Sequence, residues 1–300
     1  MSTGLTLAPS EGLNQAAAIF DQLDVAAGTR EEYKWRIAAF LTFLDERPLT
    51  SDSYLEYKRY LQARGDLAVS TKNKYLITAR ILLKELHRRG YLPVDLTANV
   101  RQLQQSKKHK RDGLNDQEMA ELTAWLRQLE STPANARLKA IICLLALQGL
   151  RQVEACRLDV ADLDLVAKTA LVRGKGRDDK EAIDLQPQTV TALKEYLKAA
   201  HVADGPLFPS WHHNPRYTRL TTRAVRLLIR QALDGLGIDK TTHGFRHYFI
   251  TKLLPAYPDL LEVRQITRHS GLEMLRAYDD RRKQREDLPR FYGVFEEVSL

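Results

Sequence analysis

Nine residues before Tyr278 stands an imidazole, in the stretch His269-Ser270-Gly271-Leu272-Glu273-Met274-Leu275-Arg276-Ala277-Tyr278. A phenol titrates at about 10, and its oxygen becomes a covalent catalyst only where positive charge and proton acceptors surround it. The chain holds twelve tyrosines, so this pair by itself reads as packing and surface. Its meaning depends on the groups the fold can bring beside it. Candidates are Arg151 in Gly149-Leu150-Arg151-Gln152-Val153-Glu154, Lys175 in a glycine-flanked turn, and the run His243-Gly244-Phe245-Arg246-His247.

Three hundred residues suggest two domains, each long enough to bury a core. At 44% hydrophobic and 28% charged residues the composition is that of an ordinary globular chain. Lys and Arg outnumber Asp and Glu by 46 to 38, a formal charge of +8 that favours a polyanionic partner. The apolar start Gly4 to Pro9 lacks a charged leader, and no run approaches the roughly 18 apolar residues of a membrane helix. A cytoplasmic protein is expected. Cys143 and Cys156 lack C-x-x-C spacing and read as buried free thiols, with neither disulfide nor zinc.

The first hundred residues read as helices separated by turns. Thr29-Arg30-Glu31-Glu32 is a capping box ahead of Tyr33, Ile37, Phe40, Leu41 and Leu44 at helical spacing. A second box, Ser53 to Glu56, lies in a helix closing near Gly65. Ser70 is expected to cap a third, with Tyr75, Ile77, Leu82, Leu83 and Leu86 inward. This helix carries Lys72, Lys74, Arg80, Lys84, Arg88 and Arg89 against Glu85 alone, which fits either a solvated face or a duplex groove. Residues 106–113 contain Lys107, Lys108, Lys110 and Arg111 and no apolar side chain, so they read as a linker that can also lie along phosphates. The boundaries are therefore 1–105, 106–113 and 114–300.

Beyond the linker, Asn115 and Glu118 signal a helix start, and an apolar helix spans about 134–147. The period then changes. Leu158 to Leu165, Thr169 to Arg173 and Glu181 to Leu185 read as a small antiparallel sheet whose hairpin holds Lys175. Helices return after Pro187, at Thr222 to Leu236, Gly244 to Leu254, Asp259 to Thr267 and Leu272 to Arg281, and a tail helix is expected at about 288–300. The fold class is mainly α with a small antiparallel β-sheet in the second domain.

In this order, Arg151, the hairpin lysine, His243-x-x-Arg246, His269 and Tyr278 closely resemble the tyrosine recombinases, the site-specific DNA recombinases and integrases. The resemblance covers nearly the whole chain, because the helical first domain and basic linker are similar to the family's core-binding domain. It implies a two-domain, C-shaped clamp around DNA. It also implies a metal-free reaction without cofactor, in which Tyr278 attacks a phosphodiester to give a 3′-phosphotyrosine and a free 5′-hydroxyl. The chemistry explains the residue types. In-line displacement at a phosphodiester gathers negative charge, and guanidinium forks match two phosphate oxygens at once. Arg151 and Arg246 are the candidates, and the resemblance adds His269 as a further donor. Lys175 stands where the family has its general acid, with Lys180 as the alternative, and His243 would assist proton movement. Glu154 is expected to hold an arginine.

Arg223, Arg226 and Arg230 form one basic edge of the helix that the resemblance implies enters a major groove, so they join Lys72, Lys74, Arg80, Lys107, Lys108, Lys110 and Arg111 as expected DNA contacts. Inverted-repeat half-sites, a dimer per site, a tetramer in synapsis joined through the tail, and accessory proteins are what the family implies for partners. Each residue also has a plainer reading: Arg151 as a cap at its helix's carboxyl end, Lys175 as an exposed turn. His243 and His247 lie four apart, but without the H-E-x-x-H glutamate a metal pair is not expected, and His212-His213 is a loop feature. The sequence departs from the family in having Thr267-Arg268 where Leu-Gly is usual, so that Arg268 is expected to face DNA, and in having Gln148 in place of a small hydroxyl residue. Two rival functions remain: a type IB topoisomerase-like relaxation, and a catalytically silent DNA-binding protein.

Overall fold

The computed structural model describes residues 9–45, 47–105, 113–174, 178–211, 218–257, 259–269, 271, 272 and 275. Outside them lie residues 106–112 of the expected linker, Lys175, His212 and His213, most of the helix expected at 272–281 with Tyr278, and the expected tail helix. The chain divides into two compact units, Met1–Lys107 and Lys108–Leu300.

The first unit is helical: α1 (Pro9–Asp21), α2 (Ala27–Leu44), α3 (Ser53–Ala63) and α4 (Val69–Arg88). Ile37, Phe40, Leu41 and Leu44 recur at helical spacing along α2 and are buried against Phe20 of α1, Tyr54, Tyr57 and Leu61 of α3, and Leu76, Leu82, Leu83 and Leu86 of α4. Phe40 meets Tyr57 edge to face at 4.8 Å, and the Tyr54 hydroxyl donates to the Leu76 carbonyl at 3.0 Å. Three expected caps are corrected. α2 begins two residues before Thr29, at Ala26 as N-cap, so the supposed box lies inside the helix, where Glu31 and Glu32 instead pair with Lys34 and Arg36. Ser53 is the first helical residue of α3, and its hydroxyl accepts from the Thr50 amide rather than from the helix. α4 starts at Ala68 as N-cap, which leaves Ser70 within its first turn, and Leu76 rather than Ile77 is the buried position.

In the second unit α5 (Asp116–Gln128) opens on the expected capping box: the Asn115 side chain accepts from the Glu118 amide at 2.8 Å and the Glu118 carboxylate from the Asn115 amide at 2.8 Å. α6 (Pro133–Ala146) is apolar nearly all round, with Ile141, Leu144 and Leu145 fully buried, because it runs through the core and packs against neighbours on several sides. After it come the short α7 (Gln152–Arg157), a three-stranded antiparallel sheet of β1 (Leu163–Asp164), β2 (Thr169–Arg173) and β3 (Lys180–Asp184) in that order, then α8 (Pro187–Ala199), α9 (Thr222–Asp234), α10 (Thr242–Ala256) and α11 (Leu260–Thr267). The first strand is shorter than expected because Val160–Asp162 forms a 3₁₀ turn, with the Asp162 carboxylate taking the Asp159 amide at 3.0 Å. Cys143 and Cys156 are free, and burial pushes both thiols up to about 11. Among the described residues no helix is long and apolar enough to cross a membrane.

The turn between α6 and α7 matters most for the site. Gly149 has a φ of +59°, and a Cβ there would lie 2.2 Å from a ring carbon of Phe249 on α10. Only glycine permits both the left-handed backbone and this approach. Gly149→Ala should therefore lower the stability of the second unit by about 1–3 kcal/mol, read as an earlier thermal transition of the full chain; an unshifted transition would mean that Phe249 moves aside freely.

Candidate active site

Arg246, in the second turn of α10, is 2% exposed, although its side chain is a permanent cation. Its guanidinium donates through Nη1 to the Gly149 carbonyl and through Nη2 to the Thr267 carbonyl, and Nη2 lies 3.3 Å from His269 Nε2. The turn after α6 and the end of α11 thus close on one side chain.

His269 follows a reversal of the chain. Arg268 adopts φ +53° at the end of α11, and the amides of Arg268 and His269 return to the carbonyls of Gln265 and Arg264. The Thr267 hydroxyl donates to the Val263 carbonyl at 2.7 Å, so its lone pair receives the proton of His269 Nδ1 at 2.6 Å. That fixes the tautomer, leaving Nε2 as an acceptor that faces Arg246. Burial, then the charges of Arg246, Arg151 and Arg268, depress the imidazole to about 4. In this state His269 is neutral and accepts, so the donor role implied by the resemblance requires a proton on Nε2, a form that an anion in the pocket favours.

Arg151 is not at the carboxyl end of a helix but in the N-cap position of α7. Its backbone amide donates to Glu154 Oε2 at 2.8 Å and its Nη1 to Oε1 at 2.7 Å. Glu154 is fully buried, and Arg268 Nη2 reaches its Oε2 at 3.0 Å. Burial alone would raise this carboxyl; the Arg268 charge and the bonds from Arg151 outweigh it and hold it below its usual range. The expectation that Arg268 faces DNA is thereby corrected: its side chain is 6% exposed and turned inward onto Glu154. What the sequence did not disclose is the contact each of Thr267 and Arg268 makes in the candidate site. Thr267 two residues before the histidine was the available signal for the first, while the inward turn of Arg268 depends on a backbone conformation no pattern announces.

His243 is exposed on the first turn of α10, its ring edge-on to that of His247 at 4.8 Å. Among the described residues no three His, Cys, Asp or Glu side chains converge as a metal site. The stem of the hairpin that carries Lys175 is tied by Arg157 Nη1 to the Gly174 carbonyl at 3.4 Å. The alternative, Lys180, is engaged by the buried carboxylate of Asp162.

Of the expected DNA contacts, Arg223, Arg226 and Arg230 are exposed along α9, opposite buried Val225, Ile229 and Leu233, and Lys74 is exposed on α4. Lys72 is corrected: it is 8% exposed and its ammonium donates to the Gln62 carbonyl at 3.0 Å. Arg80 is half-buried, its guanidinium 5.4 Å over the Tyr54 ring and bonded to the Val100 carbonyl, so it serves its own unit. Lys107, Lys108, Lys110 and Arg111 lie outside the described residues.

The depressed imidazole fixes a sign. Its folded pKa of about 4 lies below the usual 6.5, so between these values the unfolded chain binds more protons, and the group's contribution to stability, intact above about pH 6.5, falls as pH drops toward 4. The His269 Cε1 resonance, assigned by its loss in His269→Asn, should stay flat from pH 8 to 5 in NMR spectra. A midpoint at 6 or above would mean that the ring is not enclosed as described.

The phage integrase family matches residues 114–285, more than half of the chain. The tyrosine recombinase XerC of Roseiflexus sp. (strain RS-1) is 28% identical over 274 residues, 86% of this chain and 85% of that one. Tyrosine recombinase slr0733 of Synechocystis sp. (strain ATCC 27184 / PCC 6803 / Kazusa) is 34% identical over 152 residues, 49% of each chain. Among solved structures, XerH site-specific recombinase bound to palindromic difH substrate in a post-cleavage complex has a TM-score of 0.71 at 21% identity, covering 96% of this chain and 85% of that one. A lambda integrase dimer bound to a COC′ core site has a TM-score of 0.71 at 16% identity, covering 95% and 80%. Such likenesses show the fold, mainly helical with a small antiparallel sheet. The chain belongs to the phage integrase family, the tyrosine recombinases.

Proposed function

We propose that Arg151, Arg246 and His269 hold one scissile phosphate of DNA while Tyr278 attacks it, in a chain whose family makes it a tyrosine-type site-specific DNA recombinase. The observation that supports this reading is the convergence of Arg246 and His269 within 3.3 Å, with Arg151 charged nearby, in a pocket rich in fixed positive groups. A phosphodiester anion is the ligand such a pocket suits, and the guanidiniums stabilise the further charge that gathers during displacement.

The Tyr278 oxygen forms the new bond to phosphorus as the bond to the 5′ oxygen breaks. Lys175 gives the departing oxygen its proton, and His243 takes part in proton movement at the tyrosine or the phosphate. The phosphotyrosine ester conserves the bond energy, so a 5′-hydroxyl from a second site rejoins the strand without ATP. Residues 1–105 act as the core-binding, DNA-binding domain, 106–113 as a basic strap and 114–300 as the catalytic domain, with Arg223, Arg226, Arg230 and Lys74 reaching the duplex. Inverted-repeat half-sites, a dimer per site and a tetramer in synapsis, acting on the nucleoid in the cytoplasm, complete the reading.

A duplex nicked beside the cleavage position traps the covalent intermediate, because the short leaving strand diffuses away. The parent chain should accumulate a protein–DNA adduct on it and Tyr278→Phe none; an equal adduct in the phenylalanine variant would exclude this nucleophile. On plasmids with two sites, exchanged strands distinguish recombination from relaxation. Removing residues from Arg290 onward should weaken cooperative binding of two half-sites while leaving a single half-site bound as before, and a gel-shift series with unchanged cooperativity would count against the tail as the link between protomers.

A further inference from the structure

We propose that Arg268 is a positioning residue for DNA cleavage, which by sharing the Glu154 carboxylate with Arg151 leaves the Arg151 guanidinium able to turn to the scissile phosphate. This rests on the reading that Arg151 binds that phosphate.

Glu154 is fully buried and meets two guanidiniums, Arg151 Nη1 at 2.7 Å on one oxygen and Arg268 Nη2 at 3.0 Å on the other. The two cations are not equivalent. The Arg268 side chain is 6% exposed, whereas that of Arg151 is 29% exposed. Arg151 is therefore the one that can move toward a ligand arriving from solvent, and Arg268 the one that stays. A buried carboxylate losing its only cationic partner is strongly destabilised, and so resists that loss. With Arg151 as sole partner, Glu154 would compete with the phosphate for the same guanidinium. With Arg268 in place, the carboxylate stays compensated when Arg151 turns outward.

Two features indicate that the side chain at this position is used rather than tolerated. Arg268 holds φ +53°, a conformation in which glycine is less strained. Among the described residues its buried Nε meets no hydrogen-bond partner, which is a further penalty. The pairing with Glu154 offsets both. It also ties the chain reversal before His269 to the turn that carries Arg151, so the two groups are registered to each other through one carboxylate.

The test compares single-turnover formation of the covalent adduct on the nicked duplex with half-site affinity in gel shifts. Arg268→Gly suits the backbone and removes only the side chain. We expect it to bind the half-site as the parent does, to melt as one folded chain, and to cleave on the order of 10- to 100-fold more slowly, the range for losing a group that orients a reacting one. Arg268→Lys should recover part of the rate. The decisive variant is Glu154→Gln combined with Arg268→Gly: removing the competing charge should make the double variant faster than Arg268→Gly alone, which a merely structural role for Arg268 would not produce. Cleavage by Arg268→Gly at the parent's rate, or a double variant no faster than the single one, would overturn the inference. A parent chain that forms no adduct would overturn the functional reading itself and this inference with it.

Discussion

A guanidinium does not give up its proton at any pH the protein meets, so a chain that buries one must surround it with acceptors. The buried side chain of Arg246 imposes that constraint, and much of the second unit is arranged to meet it. Its acceptors include backbone carbonyls from segments far apart in sequence, Gly149 after α6 and Thr267 at the end of α11. Phe249, three residues further along α10, presses on the same glycine that gives Arg246 its carbonyl. Residues three apart share a helix face, so one face of α10 grips Gly149 through both packing and hydrogen bonding. The turn that delivers Arg151 is thereby fixed to the helix that delivers Arg246.

The same arrangement sets the charge of the pocket. Arg151, Arg246 and Arg268 bring three permanent cations, Glu154 answers two of them, and His269 is neutral under their combined field. A surplus of fixed positive charge in a partly enclosed place acts more strongly on an anion than the same charge in water. Arg246 is already fixed by the carbonyls around it, whereas the Arg151 guanidinium is held on Glu154 and His269 is neutral, so these two are the groups that an arriving anion would have to rearrange. His269 is the adaptable member: its Nδ1 proton is held by Thr267, and only Nε2 can change state as an anion comes near.

Much of this was legible in the sequence. The α5 capping box, the apolar α6, the hairpin and the basic edge of α9 all announce themselves through spacing, because each rests on interactions between residues close in the chain. The caps at Thr29 and Ser70 misled for a related reason: the motif fixes which residues can bond, but Ala26 and Ala68 show that a helix starts where its backbone finds the rest of the unit, and side-chain caps are optional. The sequence could nominate residue types for the candidate site, yet not their partners. That Glu154 holds two arginines and that Thr267 sets a tautomer depend on contacts over 114 residues in the first case and on a reversed backbone in the second.

The cations of α4 and α9 show where pattern ceases to inform. Both helices are basic in sequence, yet Lys72 and Arg80 of α4 turn back to the carbonyls of Gln62 and Val100, whereas Arg223 and Arg226 of α9 are exposed. Long side chains lay their stems over apolar neighbours and send the charged end to whatever acceptor lies within reach. On α9 the basic residues stand away from buried Val225, Ile229 and Leu233, with Leu227 exposed beside them. On α4 the Gln62 and Val100 carbonyls hold two of the cations, and Asp95 and Glu85 pair with Lys84, Arg88 and Arg89. The net charge of +8 therefore overstates what the chain offers to a duplex, because cations held by their own unit stabilise its fold more than they attract phosphates. On α4 the carbonyls and carboxylates that already hold a cation reduce what is left to attract a duplex, and counting Lys and Arg cannot reveal that.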